Sequence, residues 1–246
     1  MEKNRALVIF SGGMDSTTLL IKALSEYKEV QAIVFNYGQK HLLELSFAYG
    51  ILADLKIPYY AVNISNVFIG MPSSSLLGNS IEDVRDTSKK AEKDTYIPNR
   101  NQLFITVAHA YAQTIDADDI LIGVSALACM SDITKTDCDE LGRPDCREAF
   151  IKSIEATSNL GSGKKINILA PFIDYTKYNI WQEAERLNCV DFIIHNTYSC
   201  YTGMSVPKLD YGYSCSEKNT LDGTYKECLT CRDRRKGYEQ WKRSKK

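Results

Sequence analysis

The residues of this 246-residue chain best suited to chemistry begin at Phe10-Ser11-Gly12-Gly13-Met14-Asp15-Ser16-Thr17-Thr18. Two adjacent glycines let a backbone pass close to an anion and take up positive φ. Ser11, Ser16 and Thr17 add hydroxyl donors. An apolar run, residues 6–10, precedes the segment, and Leu19-Leu20-Ile21-Lys22-Ala23-Leu24 follows it. That order reads as strand, tight turn, helix. The free N–H groups at the helix start and the positive end of its dipole then aim at one point, which suits a phosphate group. The segment lacks the Gly-Lys-Ser/Thr of a Walker A loop and the G-x-G-x-x-G spacing of a dinucleotide fingerprint. A second group is Cys200, Cys215, Cys228 and Cys231. The Cys-x-x-Cys pair at 228 and 231 can present two thiolates to one metal ion, and two more would close a tetrahedral zinc site. A lone Cys-x-x-Cys can instead be redox-active.

These groups need a scaffold. Strands are expected at 6–10, 30–36, 59–62, 120–123 and 166–170, and helices at 17–27, 41–55, 101–115, 148–158 and 180–188. The alternation predicts an α/β fold with a doubly wound, mainly parallel five-stranded sheet. Ligands of such sheets sit beyond the carboxyl ends of the strands, where Ser11, Asn36 and Gly123 stand. Stretches 63–96, 126–146 and 196–231 have little periodicity, and long irregular segments in a compact domain are functional or disordered. The first two are expected as loops near the site. The third holds half of the eight cysteines. Residues 1–195 are expected as the nucleotide-handling domain, with 196–246 a small zinc-binding element of the same compact unit. The net charge of −1 gives no global attraction to nucleic acid or to a membrane. No apolar run approaches the roughly 18 residues of a membrane span. The N-terminus enters a strand without a signal peptide's apolar region. A cytoplasmic protein is expected, so its cysteines call for something other than disulfides.

Ser11-Gly12-Gly13-Met14-Asp15-Ser16 resembles the PP-loop of the ATP pyrophosphatases, whose fold is adenine nucleotide alpha-hydrolase-like. Further blocks follow in order. They are Phe35-Asn36-Tyr37-Gly38-Gln39-Lys40-His41 with Glu44 one turn on, Ile97-Pro98-Asn99-Arg100-Asn101, and Pro144-Asp145-Cys146-Arg147. Then come Thr176-Lys177, Thr197-Tyr198-Ser199-Cys200-Tyr201 and Cys228-x-x-Cys231-Arg232. Together they span nearly the whole chain and resemble the QueC family. The resemblance implies an ATP-dependent C–N ligase that turns 7-carboxy-7-deazaguanine and ammonia into 7-cyano-7-deazaguanine for queuosine-type deazapurine biosynthesis. A carboxylate resists attack by ammonia because its carbon is electron-rich and its oxygens leave poorly. Transfer of AMP supplies a leaving group, ammonia then gives an amide, and a second adenylation lets the nitrile form. AMP and pyrophosphate are released.

The resemblance also implies roles. Phe10, Ser11, Gly12, Gly13, Met14, Asp15, Ser16, Thr17, Thr18, Leu19 and Leu20 would hold ATP, joined by Tyr37, Gly38, Gln39 and Arg100. Ser11, Asp15, Ser16, Arg100 and Lys177 would serve catalysis. Asp15 would fix the loop or help hold Mg²⁺, a hard cation that takes oxygen ligands. Arg100 and Lys177 would meet the triphosphate charge; their plainer reading is a surface ion pair of little worth. Asp145 and Arg147 would hold the deazaguanine, against a plain polar turn after Pro144. Cys200, Cys215, Cys228 and Cys231 would ligate Zn²⁺. Homodimer formation is also implied.

Two stretches depart from the family pattern. Residues 216–227 separate Cys215 from Cys228, which leaves His195 as the alternative fourth ligand. Residues 124–143 lengthen the approach to Pro144 and carry Cys129 and Cys138. That second departure leaves an alternative product, as in defence-type or phage relatives that stop at the amide or join the deazapurine to a macromolecular partner. A PP-loop tRNA-modifying enzyme is a further alternative, which the near-neutral charge disfavours. Cys189 and His109 are expected in helix core and Cys146 as a thiol within the substrate motif. His41 and Glu44 share one helix face, either supporting the nucleotide site or simply solvating the helix. The basic tail after Cys231 reads as a solvated helix face or a contact for RNA or protein.

Overall fold

The computed structural model describes residues 4–39, 42–68, 76–77, 96–125, 144–202 and 205–245. His41, Cys129 and Cys138 lie outside the described residues, as does most of the two long excursions. The strands are β1 (Arg5–Ile9), β2 (Glu29–Asn36), β3 (Tyr59–Asn63), β4 (Asp119–Ile122) and β5 (Asn167–Leu169). They form one parallel sheet in the order β3-β2-β1-β4-β5. Both faces are covered, as parallel sheets require. Ala6 and Val8 point to one side, where they pack with α1 (Met14–Glu26), α2 (Leu42–Asp54), α6 (Lys177–Arg186) and α7 (Val190–Asn196). Leu7 and Ile9 point to the other, onto α4 (Arg100–Thr114) and α5 (Glu148–Leu160). A short helix α3 (Ser65–Phe68) follows β3. The doubly wound, five-stranded expectation is met. The strand order reverses direction between β1 and β4, and the crevice beyond their carboxyl ends is the position of a ligand in such sheets.

Two helices begin earlier than the periodicity predicts. Gly12 turns the chain at φ +83°, and α1 starts at Met14, so Ser16 and Thr17 sit inside its first turn. Helix α6 starts at Lys177 through a capping box: Asn179 N–H donates to Thr176 Oγ1 at 3.3 Å, and Thr176 N–H donates to Asn179 Oδ1 at 2.9 Å. Cys189 is buried at the N-cap of α7, with its thiol pushed up to about 11 by burial. His109 is buried in α4, within 3.3 Å of Asn159 Oδ1. Both are the core residues expected.

The C-terminal element has two small antiparallel pairs, β6 (Lys208–Leu209) with β7 (Gly212–Tyr213) and β8 (Glu217–Lys218) with β9 (Tyr225–Lys226), and then α8 (Leu229–Arg243). It docks on the main body through α6. Trp181 meets Tyr238 at 5.2 Å and Trp241 at 6.1 Å between ring centroids. Arg234 is 1 % exposed, and its guanidinium donates to Tyr211 O at 2.6 Å and Ile193 O at 3.0 Å. Among the described residues no helix is long and apolar enough to cross a membrane.

Candidate active site

A cavity of about 260 Å³ opens at the carboxyl ends of β1 and β4. The glycine turn supplies one wall. Ser11 Oγ lies 3.1 Å from Ser16 Oγ and accepts from Gly13 N–H at 3.3 Å; Ser16 Oγ donates to Gly13 O at 3.2 Å. The turn is thus held by its own hydroxyls, with the start of α1 facing the cavity. A second segment clamps it from outside. Tyr198 N–H donates to Gly12 O at 3.2 Å, and Ser199 Oγ accepts from Met14 N–H at 3.1 Å. An N–H at a helix start is a natural phosphate donor.

Of the residues expected at ATP, Phe10, Ser11, Gly13, Met14, Asp15, Ser16, Tyr37, Gln39 and Arg100 line the cavity, as does Lys177. Gly12, Thr17, Thr18, Leu19, Leu20 and Gly38 do not. Leu19 and Leu20 are in the core, and Thr18 Oγ1 donates back to Met14 O at 2.9 Å. Lys177 Nζ donates to Asp15 Oδ2. The other oxygen, Asp15 Oδ1, is buried with no hydrogen-bond partner among the described residues. An orphaned carboxylate oxygen on a cavity wall fits a hard cation. Gln39 folds back on its own turn, its Oε1 accepting from Tyr37 N–H at 2.9 Å. Arg100 lies over the Tyr37 ring at 5.4 Å and the Phe104 ring at 5.8 Å, and Phe35 stacks on Phe104 at 4.4 Å. Burial pushes the Tyr37 phenol up to about 12 against the pull of Arg100.

Asp145 and Arg147 do not line the cavity, whereas Cys146 between them does. Asp145 is buried, and its carbonyl accepts from Asn101 Nδ2 at 3.5 Å. Arg147 stands at the N-cap of α5. Glu44 reaches the cavity from α2. Burial pushes its carboxyl up to about 7, against opposing contributions from Arg100 and from a hydrogen bond with Ser11. Ser199 and Tyr201, from the Thr197–Tyr201 block, also line the cavity, as do Thr230, Asp233 and Arg234 from α8, and nothing in the sequence marks these last three for it.

Next to this cavity the four sulfurs of Cys200, Cys215, Cys228 and Cys231 lie within 4.8 Å of one another, all buried. Cys200 Sγ and Cys228 Sγ are 4.0 Å apart, close to the roughly 3.8 Å edge of a tetrahedron with Zn–S bonds of about 2.3 Å. Cys228 N–H donates to Cys215 Sγ at 3.3 Å and Tyr201 N–H to Cys228 Sγ at 3.5 Å. Hydrogen bonds among the thiols hold Cys200 down and push Cys231 up. The four cannot all ionise together without a cation, so the donor set fits a soft divalent metal ion. The stretch 216–227 is the β8–β9 hairpin, and it returns the chain so that Cys215 rejoins the others. Arg235 braces it, donating to Glu227 through Nε at 3.1 Å and stacking on Tyr225 at 3.8 Å. His195 is exposed on α7 with Nδ1 at 2.7 Å from Asp191 O, outside the cluster.

The profile of the family described as "Queuosine biosynthesis protein QueC" matches residues 5–242. The chain belongs to the QueC family. A 7-cyano-7-deazaguanine synthase from Helicobacter acinonychis (strain Sheeba) is 38% identical over 247 residues, 98% of each chain. Another from Helicobacter pylori (strain Shi470) is 37% identical over 252 residues, 100% of each chain. A solved 4-thiouridine synthetase–RNA complex with bound ATP is similar at a TM-score of 0.47 and 16% identity, over 81% of this chain and 45% of that one. Membership makes this chain an enzyme of queuosine biosynthesis.

Proposed function

We propose that this QueC protein converts 7-carboxy-7-deazaguanine and ammonia to 7-cyano-7-deazaguanine, consuming ATP and releasing AMP and pyrophosphate. The observation that carries this reading is the Gly-Gly turn at the β1–β4 crevice, with Asp15, Ser16, Lys177 and Arg100 lining one cavity. The backbone N–H groups of the turn and the hydroxyls of Ser11 and Ser16 would receive the departing pyrophosphate. Lys177 and Arg100 would offset charge that builds at the α-phosphate as the carboxylate attacks. Bound Mg²⁺ would neutralise phosphate charge, with Asp15 Oδ1 as its protein ligand. Tyr37, Phe104 and Phe35 offer faces for a purine-like ring. Asp145 and Arg147 would reach the substrate through the turn that presents Cys146. Cys200, Cys215, Cys228 and Cys231 would hold Zn²⁺ as a structural ion, which would tie down the Tyr198–Ser199 clamp over the turn. A homodimer in the cytoplasm fits the family but rests on resemblance alone.

The test is direct. The protein is incubated with 7-carboxy-7-deazaguanine, ATP, Mg²⁺ and ammonium, and the products are weighed by mass spectrometry. Nitrile with AMP supports the proposal. Amide alone, or a conjugate, supports the defence-type relative, and ADP sinks the adenylation chemistry altogether.

A further inference from the structure

We infer that Glu44 is the catalytic base of the amidation step: its carboxylate takes the proton that ammonia must lose on attacking the acyl adenylate. This rests on the adenylation reading above and assigns a residue to the step that follows it.

Three carboxylates line the cavity among the described residues: Asp15, Glu44 and Asp233. Lys177 holds Asp15 and Arg232 holds Asp233, the latter at 3.1 Å. Glu44 has no ion pair within 4 Å among the described residues, and it lines the same cavity as Ser11 and Arg100. It therefore stands in the cavity beside the loop that would grip the pyrophosphate. The groups around it come from every wall. Arg100 from α4, Tyr37 from just after β2, Asp15 and Lys177 from α1 and α6, Arg234 from α8 and Tyr201 from the segment after the clamp line the same cavity. Arg100 holds the carboxylate form and burial opposes it, and the balance lies near pH 7. A base poised there can both accept a proton and release it to water.

The step balances. The ammonia lone pair forms the C–N bond at the acyl carbon, and the nitrogen becomes positive. Its proton passes to Glu44. The C–O bond to AMP breaks, and AMP leaves with the bonding pair. Amide, AMP and protonated Glu44 result, and Glu44 returns its proton to solvent.

The test separates the two half-reactions. With 7-carboxy-7-deazaguanine, ATP and Mg²⁺ but no ammonium, carboxylate-dependent ATP–pyrophosphate exchange reads adenylation. Glu44→Gln should retain exchange within about threefold, and should form amide from ammonium about 10²–10⁴-fold more slowly, the usual range for a lost acid–base group. Wild-type amide formation at fixed free ammonia should fall below about pH 7, and that limb should vanish in Glu44→Gln. Hydroxylamine, a stronger nucleophile at neutral pH, should still trap the adenylate of the variant as hydroxamate. Glu44→Asp should keep the limb and part of the rate. Loss of exchange in step with amide formation would overturn the inference and make Glu44 a binding residue. So would wild-type amidation in Glu44→Gln. A wild-type protein without exchange would overturn the adenylation reading and this inference with it.

Discussion

Replacing Gly12 by Ala should damage both stability and turnover, for reasons that can be sized. Gly12 sits at φ +83°, and a Cβ there would lie 2.7 Å from Ala48 N, 2.8 Å from Ala48 Cα and 2.9 Å from Ala48 Cβ. The left-handed conformation costs an L-residue about 1–2 kcal/mol. The clash is with backbone in α2, which can yield only by shifting the helix, and such overpacking costs about 1–3 kcal/mol. The sum is about 2–5 kcal/mol, a large part of the roughly 5–15 kcal/mol that holds a domain together. At about 2–4 °C per kcal/mol for a chain of this size, the melting temperature should fall by about 4–20 °C. Gly50 is the control. It lies in the same helix, exposed, and a Cβ added there would meet nothing within 4 Å. Gly50→Ala should gain about 0.5–1 kcal/mol from helix propensity and melt slightly higher. The assay is thermal unfolding of the three proteins beside carboxylate-dependent pyrophosphate exchange. A Gly12→Ala protein that melts within a degree of wild type and exchanges normally would refute the reasoning.

Three other expectations follow from the same geometry. Ser199→Ala removes the acceptor of the Met14 N–H bond, so stability should drop by about 0.5–1.5 kcal/mol, and KM for ATP should rise several-fold, read by exchange kinetics. Cys228→Ser breaks a four-sulfur site, so bound zinc, measured by elemental mass spectrometry, should fall from about one ion per chain toward zero. The melting temperature should fall with it, and unchanged zinc content would contradict the assignment. Glu44 titrates near 7 in the folded chain against 4.5 ordinarily, so the folded state binds a proton that the unfolded state has lost. Its contribution to stability is lost as pH rises from about 4.5 through about 7. Glu44→Gln and wild type should melt together at acid pH, and the variant should melt higher at pH 8.

Much of the scaffold is legible in the sequence because buried parallel strands are short apolar runs. Each of the five predicted strands lies within about a residue of the observed one at either end. The phosphate turn is legible for the same kind of reason: Gly12, at φ +83° with the α2 backbone against it, has no cheap substitute there. What is not legible has a common cause. Ser199, Asp233 and Arg234 reach the cavity from segments that only the folded chain brings together with the glycine turn, and periodicity carries no trace of that meeting. Glu44 can be placed on a helix face from spacing alone, but its place in the cavity with Ser11 and Arg100 cannot. The early start of α1 is hidden because a glycine N-cap lacks a side-chain signal, whereas the Thr176 cap of α6 carries one in its hydroxyl. The β8–β9 hairpin is masked by its two-residue strands, although Asp222-Gly223, with Gly223 at φ +72°, is a hairpin turn signal. It explains how Cys215 joins the thiol cluster across residues 216–227.

The central claim is that the substrate carboxylate attacks the α-phosphate. It can be tested with 7-carboxy-7-deazaguanine carrying ¹⁸O in both carboxylate oxygens, incubated with ATP, Mg²⁺ and ammonium. The account predicts that AMP acquires one ¹⁸O in each adenylation and that pyrophosphate stays unlabelled. AMP without label, or ¹⁸O in inorganic phosphate beside ADP, would contradict it.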